Sequence, residues 1–177
     1  MRLISTRRVA AAMAMFAVTV PAWAAAQSGI AAVWVPAHTT FFFQGLATHY
    51  SCGALRDEVA HLLSRLGPRH LTVREQACPT PGVTSFPGVT ARMEVLIPAD
   101  QADTKGPVVQ AHWHRVVLVP AKAGSSAQSE CELVRQFKEK FLPLFRAQGI
   151  RYESNCYPSQ ATLLGPRLSV EVLVPDK

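Results

Sequence analysis

The sequence predicts an α+β domain in which two helices pack on one face of a mostly antiparallel sheet of about six to eight strands. The domain would be built from duplicated β-α-β-β units and held by two disulfides. Two segments of nearly equal length are bounded by cysteines, Cys52–Cys78 and Cys131–Cys156. Each segment begins with helical periodicity, and each is followed by a proline-rich loop and a strand. Self-similarity at a fixed spacing is the mark of an internal repeat.

Apolar residues recur at the same offsets from the first cysteine of each segment, on one face of a 3.6-residue period. They are Leu55, Leu62, Leu63 and Leu66 in the first segment and Val134, Phe141, Leu142 and Phe145 in the second. Each segment therefore opens with an amphipathic helix.

Local signals predict where these helices begin and end. Ser51 is placed to cap the first helix, and Ser129 with Glu132 forms a capping box on the second. Gly67 and Gly149 are expected to stop the two helices. Pro143 should kink the second helix or split off its last turn.

Each helix has a strand before it and two strands after it. The strands that precede the helices are 37–45 and 108–120, and a separate short strand at 31–35 opens the mature chain. The strands that follow them are 70–77 and 150–155, and the closing strands are 91–98 and 168–175. The two closing strands share the ending Glu-Val-Leu-(Ile/Val)-Pro, which is the closest match between the repeats.

The helix–strand geometry explains the cysteines. A helix of about 15 residues is roughly 22 Å long, and a strand of about 7 residues is roughly 23 Å long. A strand that runs back beneath its helix therefore ends beside the helix start. Four cysteines allow three pairings, and the duplication selects Cys52–Cys78 and Cys131–Cys156. The alternative, a four-cysteine zinc site, normally has C-x-x-C spacings, and none is present.

The N-terminus has the pattern of a secretory signal peptide. Residues 1–26 combine three arginines, a short apolar run and a small-residue cleavage region, so the mature chain would begin at Ala25 or Gln27. Residues 27–177 then form a single domain of two repeats, about 30–100 and 107–177. No later run predicts a membrane span, so we expect a periplasmic or secreted protein.

The mature charge balance is unremarkable. The chain has 18 Lys+Arg and 12 Asp+Glu, and the signal holds three arginines, so 15 minus 12 leaves about +3. That balance does not predict a nucleic-acid binder.

Three stretches resemble a family of small exported proteobacterial proteins with four cysteines. They are "YSC" before the first helix, "FPGV" before the first closing strand, and "CELVRQF…FLP" in the second helix. The resemblance covers most of the mature chain and implies export and the disulfide frame. It implies no activity, cofactor or catalytic residue.

The motif most suggestive of chemistry is His112-Trp113-His114. On a strand, the two histidines share a face and could hold zinc or copper, with His38 as a third ligand. The alternating apolar residues around them predict instead that Trp113 faces the core and that both histidines lie on the other side of the sheet. We therefore predict no metal site and no cofactor.

Three further features admit a functional and a structural interpretation. Glu94 and Glu171 occupy matching positions and could form a carboxylate pair, but each also fits as the polar residue of an alternating strand.

The rings of 41–43 lie on both faces of a strand, which favours a strand buried on both sides. If helices cover only one face, one ring needs a ligand groove, a second subunit or a loop as its partner. The uncharged loop 79–89, which carries Phe86, is either a partner-binding loop or a plain connector.

The sequence contains no nucleophile elbow, metalloprotease motif or phosphate-binding loop, and it nominates no catalytic residue. It favours a non-enzymatic binding or accessory module, with an unknown protein or small ligand of the cell envelope as its partner. The alternative is a small periplasmic enzyme or metal-binding protein with a site between the repeats. An enzyme would gather polar side chains in a pocket there, whereas a binding module would present an exposed groove or loop.

Overall fold

The computed structural model describes residues 29–45, 50–76, 78, 86–104, 106–121, 127–154 and 165–176. In chain order the elements are β1 (Ile30–Phe42), α1 (Cys52–Arg65), β2 (Arg69–Gln76), β3 (Gly88–Pro98), β4 (Val108–Leu118), α2 (Ala127–Phe141), β5 (Gln148–Glu153) and β6 (Arg167–Pro175). Short 3₁₀ helices occupy Ala99–Gln101 and Leu142–Phe145. The six strands form one antiparallel sheet in the order β2-β3-β1-β4-β6-β5. The predicted α+β class is confirmed.

The ends of α1 follow the sequence signals. Ser51 Oγ accepts a hydrogen bond from the Ala54 N–H at 3.1 Å, and Gly67 adopts φ +73° just after the helix. This is the usual N-cap and left-handed C-terminal arrangement.

The ends of α2 correct two expectations. The helix begins at Ala127, so Ser129 lies buried within its first turn and does not occupy the N-cap position. Pro143 ends the regular helix, and the chain continues as a 3₁₀ turn, as expected. The residue that ends this turn in a left-handed conformation is Arg146, with φ +48°, whereas Gly149 lies inside β5.

The first strand is longer than predicted. Ile30–Phe42 is a single strand that continues through Pro36, where the sequence suggested two. Proline is tolerated in a strand where its missing N–H faces an unpaired edge, and β4 does not reach Pro36.

Both helices pack against the same face of the sheet and form one main core. The fully buried side chains of α1 include Leu55, Val59, Leu62 and Leu63, and those of α2 include Leu133, Val134, Phe137 and Phe141. The α2 side chains reach the opposite half of the sheet, because Phe141 makes an edge-to-face contact with Phe41 of β1 at 5.5 Å between ring centroids.

The two halves of the sheet meet along a short seam. Only four residue pairs join β1 to β4, from Ile30 opposite Ala111 to Val33 opposite Val108. Because the strands are antiparallel and staggered, most of β1 extends past the beginning of β4, and most of β4 extends past the beginning of β1. On the face away from the helices, the seam carries a small apolar group, here called the seam cluster: Ile30, Ala32, Trp34, Leu96, Val109, Ala111, Trp113 and Leu173.

The first predicted disulfide is confirmed. Cys52, at the start of α1, is bonded to Cys78, just beyond β2, with 6.3 Å between the Cα atoms. The bridge encloses 26 residues, which in the chain-entropy model corresponds to about 3.5 kcal/mol of stabilisation. Cys156 lies outside the described residues, so the second predicted bridge is not visible as a pair.

Positive φ angles occur at matched places in the two halves. Gly67 and Arg146 follow the helical segments, while His70 and Gly149 lie at irregularities in the pairing of β2 and β5. The spacing is the same in both cases, since 146 minus 67 and 149 minus 70 both give 79. The left-handed conformation costs a residue with a Cβ roughly 1 kcal/mol or more.

This cost predicts the effect of a glycine substitution. Arg146→Gly should raise the free energy of unfolding, by up to about 1 kcal/mol, because glycine adopts the left-handed conformation without strain. The control is Ala147→Gly, at the next position, which has no positive φ; it should lower the free energy of unfolding by roughly 0.5–1 kcal/mol or more, because the Ala147 methyl group also packs against the main core. Urea denaturation of the two variants measures both values. A loss of stability in Arg146→Gly as large as in the control would contradict the assignment.

Candidate functional site

The part of β1 that extends beyond the seam has a strand neighbour on one side only within the described residues. The Phe43 N–H donates to the Pro87 carbonyl at 2.9 Å. The backbone N–H and C=O groups of the odd-numbered residues in this segment therefore point towards β3. Backbone direction alternates along an antiparallel strand. The N–H and C=O groups of His38, Thr40 and Phe42 therefore point to the open side. We call this segment, His38–Phe42, the free edge.

The free edge is bounded at both ends. Pro36 has no N–H to offer on the open side. At the other end, the carboxamide of Gln136 on α2 forms two hydrogen bonds with the backbone of Gln44. Its Oε1 accepts from the Gln44 N–H at 3.1 Å, and its Nε2 donates to the Gln44 carbonyl at 2.8 Å. The Gln136 side chain thus makes the two bonds that a residue of an adjacent strand would make.

A cleft of about 500 Å³ lies between the free edge and α2. Thr40, Phe41, Phe42 and Gln44 form one wall, and Arg135, Gln136, Glu139 and Lys140 form the other. Arg135, Glu139 and Lys140 are exposed, so the helical wall carries two positive charges and one negative charge. The cleft therefore combines backbone donors and acceptors with a weakly positive rim.

The structure distributes the three adjacent phenylalanines between two environments. Phe41 and Phe43 are buried in the main core, while Phe42 is 44% exposed on the opposite face. At 41–43 the strand is therefore buried on one face only, and the expectation of burial on both faces was wrong for this stretch. The Phe42 ring lies over Gly88, where an added Cβ would come within 2.7 Å of it. The ring thus covers a glycine on the neighbouring strand and borders the cleft.

The histidine pair has a different orientation from the one expected. Trp113 packs in the seam cluster, away from the helices, and His112 and His114 share the helix-covered face with Val116 and Leu118. The expected alternation is confirmed, because Trp113 packs with Val109 and Ala111 on the face opposite to the histidines. The expectation that this face carries the main core was wrong, because both alternations of 116–119 are apolar and Val116 and Leu118 fill the main core.

The structure does not bring His38 to the histidine pair. His38 shares the alternation of Ala32 and Trp34, so it lies on the face opposite to His112. The two histidine rings of the pair are 6.5 Å apart, and His112 Nδ1 is 2.6 Å from Asp176 Oδ1. Within the described residues, no group of three or more potential metal-ligating side chains is present.

Glu94 and Glu171 are not placed together either. They lie on β3 and β6, which β1 and β4 separate in the sheet. Glu94 Oε2 is 3.8 Å from His70 Nε2. Glu171 Oε1 accepts a hydrogen bond from Arg115 Nη2 at 2.7 Å. Phe86 is 63% exposed, but residues 79–85 of its loop lie outside the described residues.

A second side chain–backbone contact joins the other helix to the segment that follows β4. Glu58 of α1 accepts a hydrogen bond from the Ala121 N–H at 2.8 Å and is only 4% exposed. Burial is the largest effect on this carboxyl and raises its pKa; the hydrogen bond and nearby His61 act in the opposite direction. Each helix therefore contacts the chain just beyond a strand of the opposite half through a polar side chain, Glu58 in α1 and Gln136 in α2.

Comparison with known proteins gives no match to a family model, a curated protein or a solved structure. In the part of the chain that the structure describes, neither helix has the length and apolar character needed to cross a membrane.

Sequence reasoning missed the free edge and its contact with Gln136. Gln44 and Gln136 are 92 residues apart, and neither belongs to a recognisable motif. The usable signal was Pro36, because a proline inside a long strand pattern indicates an unpaired edge.

The buried Glu58 predicts a pH-dependent stability difference. Its pKa is raised in the folded state, so the folded protein binds more protons than the unfolded chain just above pH 4.5. The free energy of unfolding contributed by this group therefore falls as pH rises from the unfolded pKa through the folded pKa. Glu58→Gln keeps an acceptor for the Ala121 N–H and has no charge to bury.

We expect Glu58→Gln to gain stability relative to the wild type as pH rises from 4 to 7. Urea denaturation of both proteins at each pH gives this difference and cancels the contribution of the other titrating groups. A variant that instead loses more stability at pH 7 than at pH 4 would show that ionised Glu58 stabilises the fold.

Proposed function

We propose that this protein is an exported, non-enzymatic binding module whose recognition site is the cleft between the free edge and α2. The observation that carries the proposal is the row of backbone N–H and C=O groups at His38–Phe42, next to an exposed charged helix wall. The backbone groups can form hydrogen bonds with a partner, and the charged side chains of the helix wall can attract it. The partner would be a protein or ligand of the cell envelope.

Two observations support export to the periplasm or the exterior. Stable structural disulfides form in oxidising compartments, and Cys52–Cys78 is such a bond. The signal-peptide pattern of residues 1–26 agrees with this location, although that segment lies outside the described residues.

We further infer that the domain arose by duplication of a β-α-β-β unit, with repeats at about 30–100 and 107–177. The strand order supports this inference, because β2-β3-β1 and β4-β6-β5 list equivalent strands in reversed order. The same offset of 79 residues relates the two irregularities in strand pairing. The register of β2 shifts between Arg69 and Thr72, and the register of β5 shifts between Gln148 and Arg151. The same offset relates Trp34 to Trp113 in the seam cluster.

The duplication implies a second bridge, Cys131–Cys156. Cys131 follows Cys52 by 79 residues, the same offset that relates the other equivalent positions. No described cysteine is free. Peptide mapping without reduction should recover Cys131 linked to Cys156. A fragment linking Cys131 to either cysteine of the first repeat would contradict both the pairing and the duplication.

The cleft lies between the two repeats, because β1 belongs to the first and α2 to the second. A charge-reversal variant of the helix wall tests its role in binding. The double variant Arg135→Glu/Lys140→Glu changes the wall, and Arg74→Glu/Arg151→Glu changes the charge equally at exposed positions on the two outer strands. Tagged mature proteins would be used to capture partners from a periplasmic extract, with mass spectrometry of the bound material.

We expect the wild type and the control variant to capture the same partner, and the cleft variant to lose it. Thermal denaturation of all three proteins verifies that they remain folded. Equal capture by the cleft and control variants would contradict a binding role for the cleft.

A further inference from the structure

We propose that the cleft accepts an extended, acidic peptide segment of a partner protein, which adds to the sheet as a strand along His38–Phe42. This inference rests on the proposed function and specifies the partner's chemistry. Strand addition to an exposed sheet edge is a general mode of peptide recognition in which backbone hydrogen bonds supply affinity and alternate side chains supply specificity.

The backbone of the free edge has the required geometry. Outward-facing N–H and C=O groups occur at His38, Thr40 and Phe42, that is, at every second residue, and the next such residue is Gln44. A strand of five residues spans roughly 17 Å. A peptide of that length, lying about 4.8 Å from β1, would make a continuous ladder with these groups.

The contact between Gln136 and Gln44 sets the end of this ladder. The Gln136 carboxamide already bonds to the outward N–H and C=O of Gln44, at 3.1 and 2.8 Å. An incoming strand therefore stops there, and Pro36 limits it at the other end. The open edge therefore has a defined length. The Gln136 carboxamide occupies the place where the next residue of an added strand would lie.

The side chains around the cleft determine which peptide fits. Residues of an added strand would alternate between the helix-covered face and the opposite face. On the helix side they meet Arg135, Lys140 and Glu139, whose charges sum to +1, so acidic side chains are favoured there. On the other side they lie beside Thr40 and the exposed ring of Phe42, which favours β-branched or apolar side chains.

The same charges argue against a second copy of this chain as the occupant. If two copies paired through their free edges, each would bring its own Arg135, Glu139 and Lys140, with a net charge of +1, to the shared cleft. Like charges placed opposite each other are destabilising. An acidic peptide instead complements the rim.

The test uses a random library of linear dodecapeptides displayed on phage, selected against the mature, oxidised protein. Selected peptides would be synthesised and their affinities measured by fluorescence anisotropy for two variants. Thr40→Pro removes the outward N–H and places a ring on the open edge, as Pro36 does in the same alternation. Thr40→Val is the matched control, because both variants lose the hydroxyl contact with Thr90 and only the proline loses the N–H.

We expect selected peptides to be enriched in alternating acidic residues and to bind Thr40→Val like the wild type. Thr40→Pro should bind them about tenfold more weakly or worse, because a backbone hydrogen bond is lost and the ring blocks approach. Peptides that bind both variants equally, or a library that yields no specific peptide, would overturn the proposal. Concentration-dependent dimerisation that Thr40→Pro abolishes would also overturn it and assign the edge to a second copy.

A second measurement does not depend on the folding of Thr40→Pro. N-methylation of a selected peptide at alternate amides should abolish binding to the wild type in one alternation and preserve it in the other, because only one set of N–H groups faces β1. Equal effects of both alternations would overturn strand addition. The proposed function would survive that result if the charge-reversal variant still failed to capture its partner, so the two failures are distinguishable.

Discussion

The short pairing between β1 and β4 determines how the two halves of the sheet are held together. Only four residue pairs join the two halves of the sheet, and the stagger leaves most of each strand without a partner across the seam. The main core compensates, because both helices and the inner faces of both halves fill it together. Glu58 and Gln136 add one polar contact each between a helix and the strand extension of the opposite half.

Unpaired strand edges favour unwanted association, and proteins usually protect them. The free edge of β1 has partial protection. Pro36 removes one donor, Gln136 satisfies the backbone of Gln44, and exposed charges border the cleft along α2. The remaining three residues, His38, Thr40 and Phe42, stay open within the described structure. A limited opening of this kind suits a binding site of defined length.

The parts of the fold that sequence could predict are those with local or periodic signals. The helix faces, the Ser51 cap and the Cys52–Cys78 bridge follow from spacing along the chain. The sequence misled us where two interpretations were equally apolar, as in Val116–Val119, and where a glycine had another role. Gly149 permits an irregular pairing in β5, while Arg146 adopts the left-handed conformation after α2. The contact between Gln44 and Gln136 has no local signature and required the folded structure.

Amide hydrogen exchange along β1 measures whether one side of this strand is open. In the free protein, the amides of His38, Thr40 and Phe42 should exchange much faster than those of Ala37, Thr39 and Phe41, which face β3. The amide of Gln44 should be slower than the three open ones, because it donates to Gln136. Equal protection of both alternating sets would contradict the account, since it would show that another part of the molecule already covers the edge.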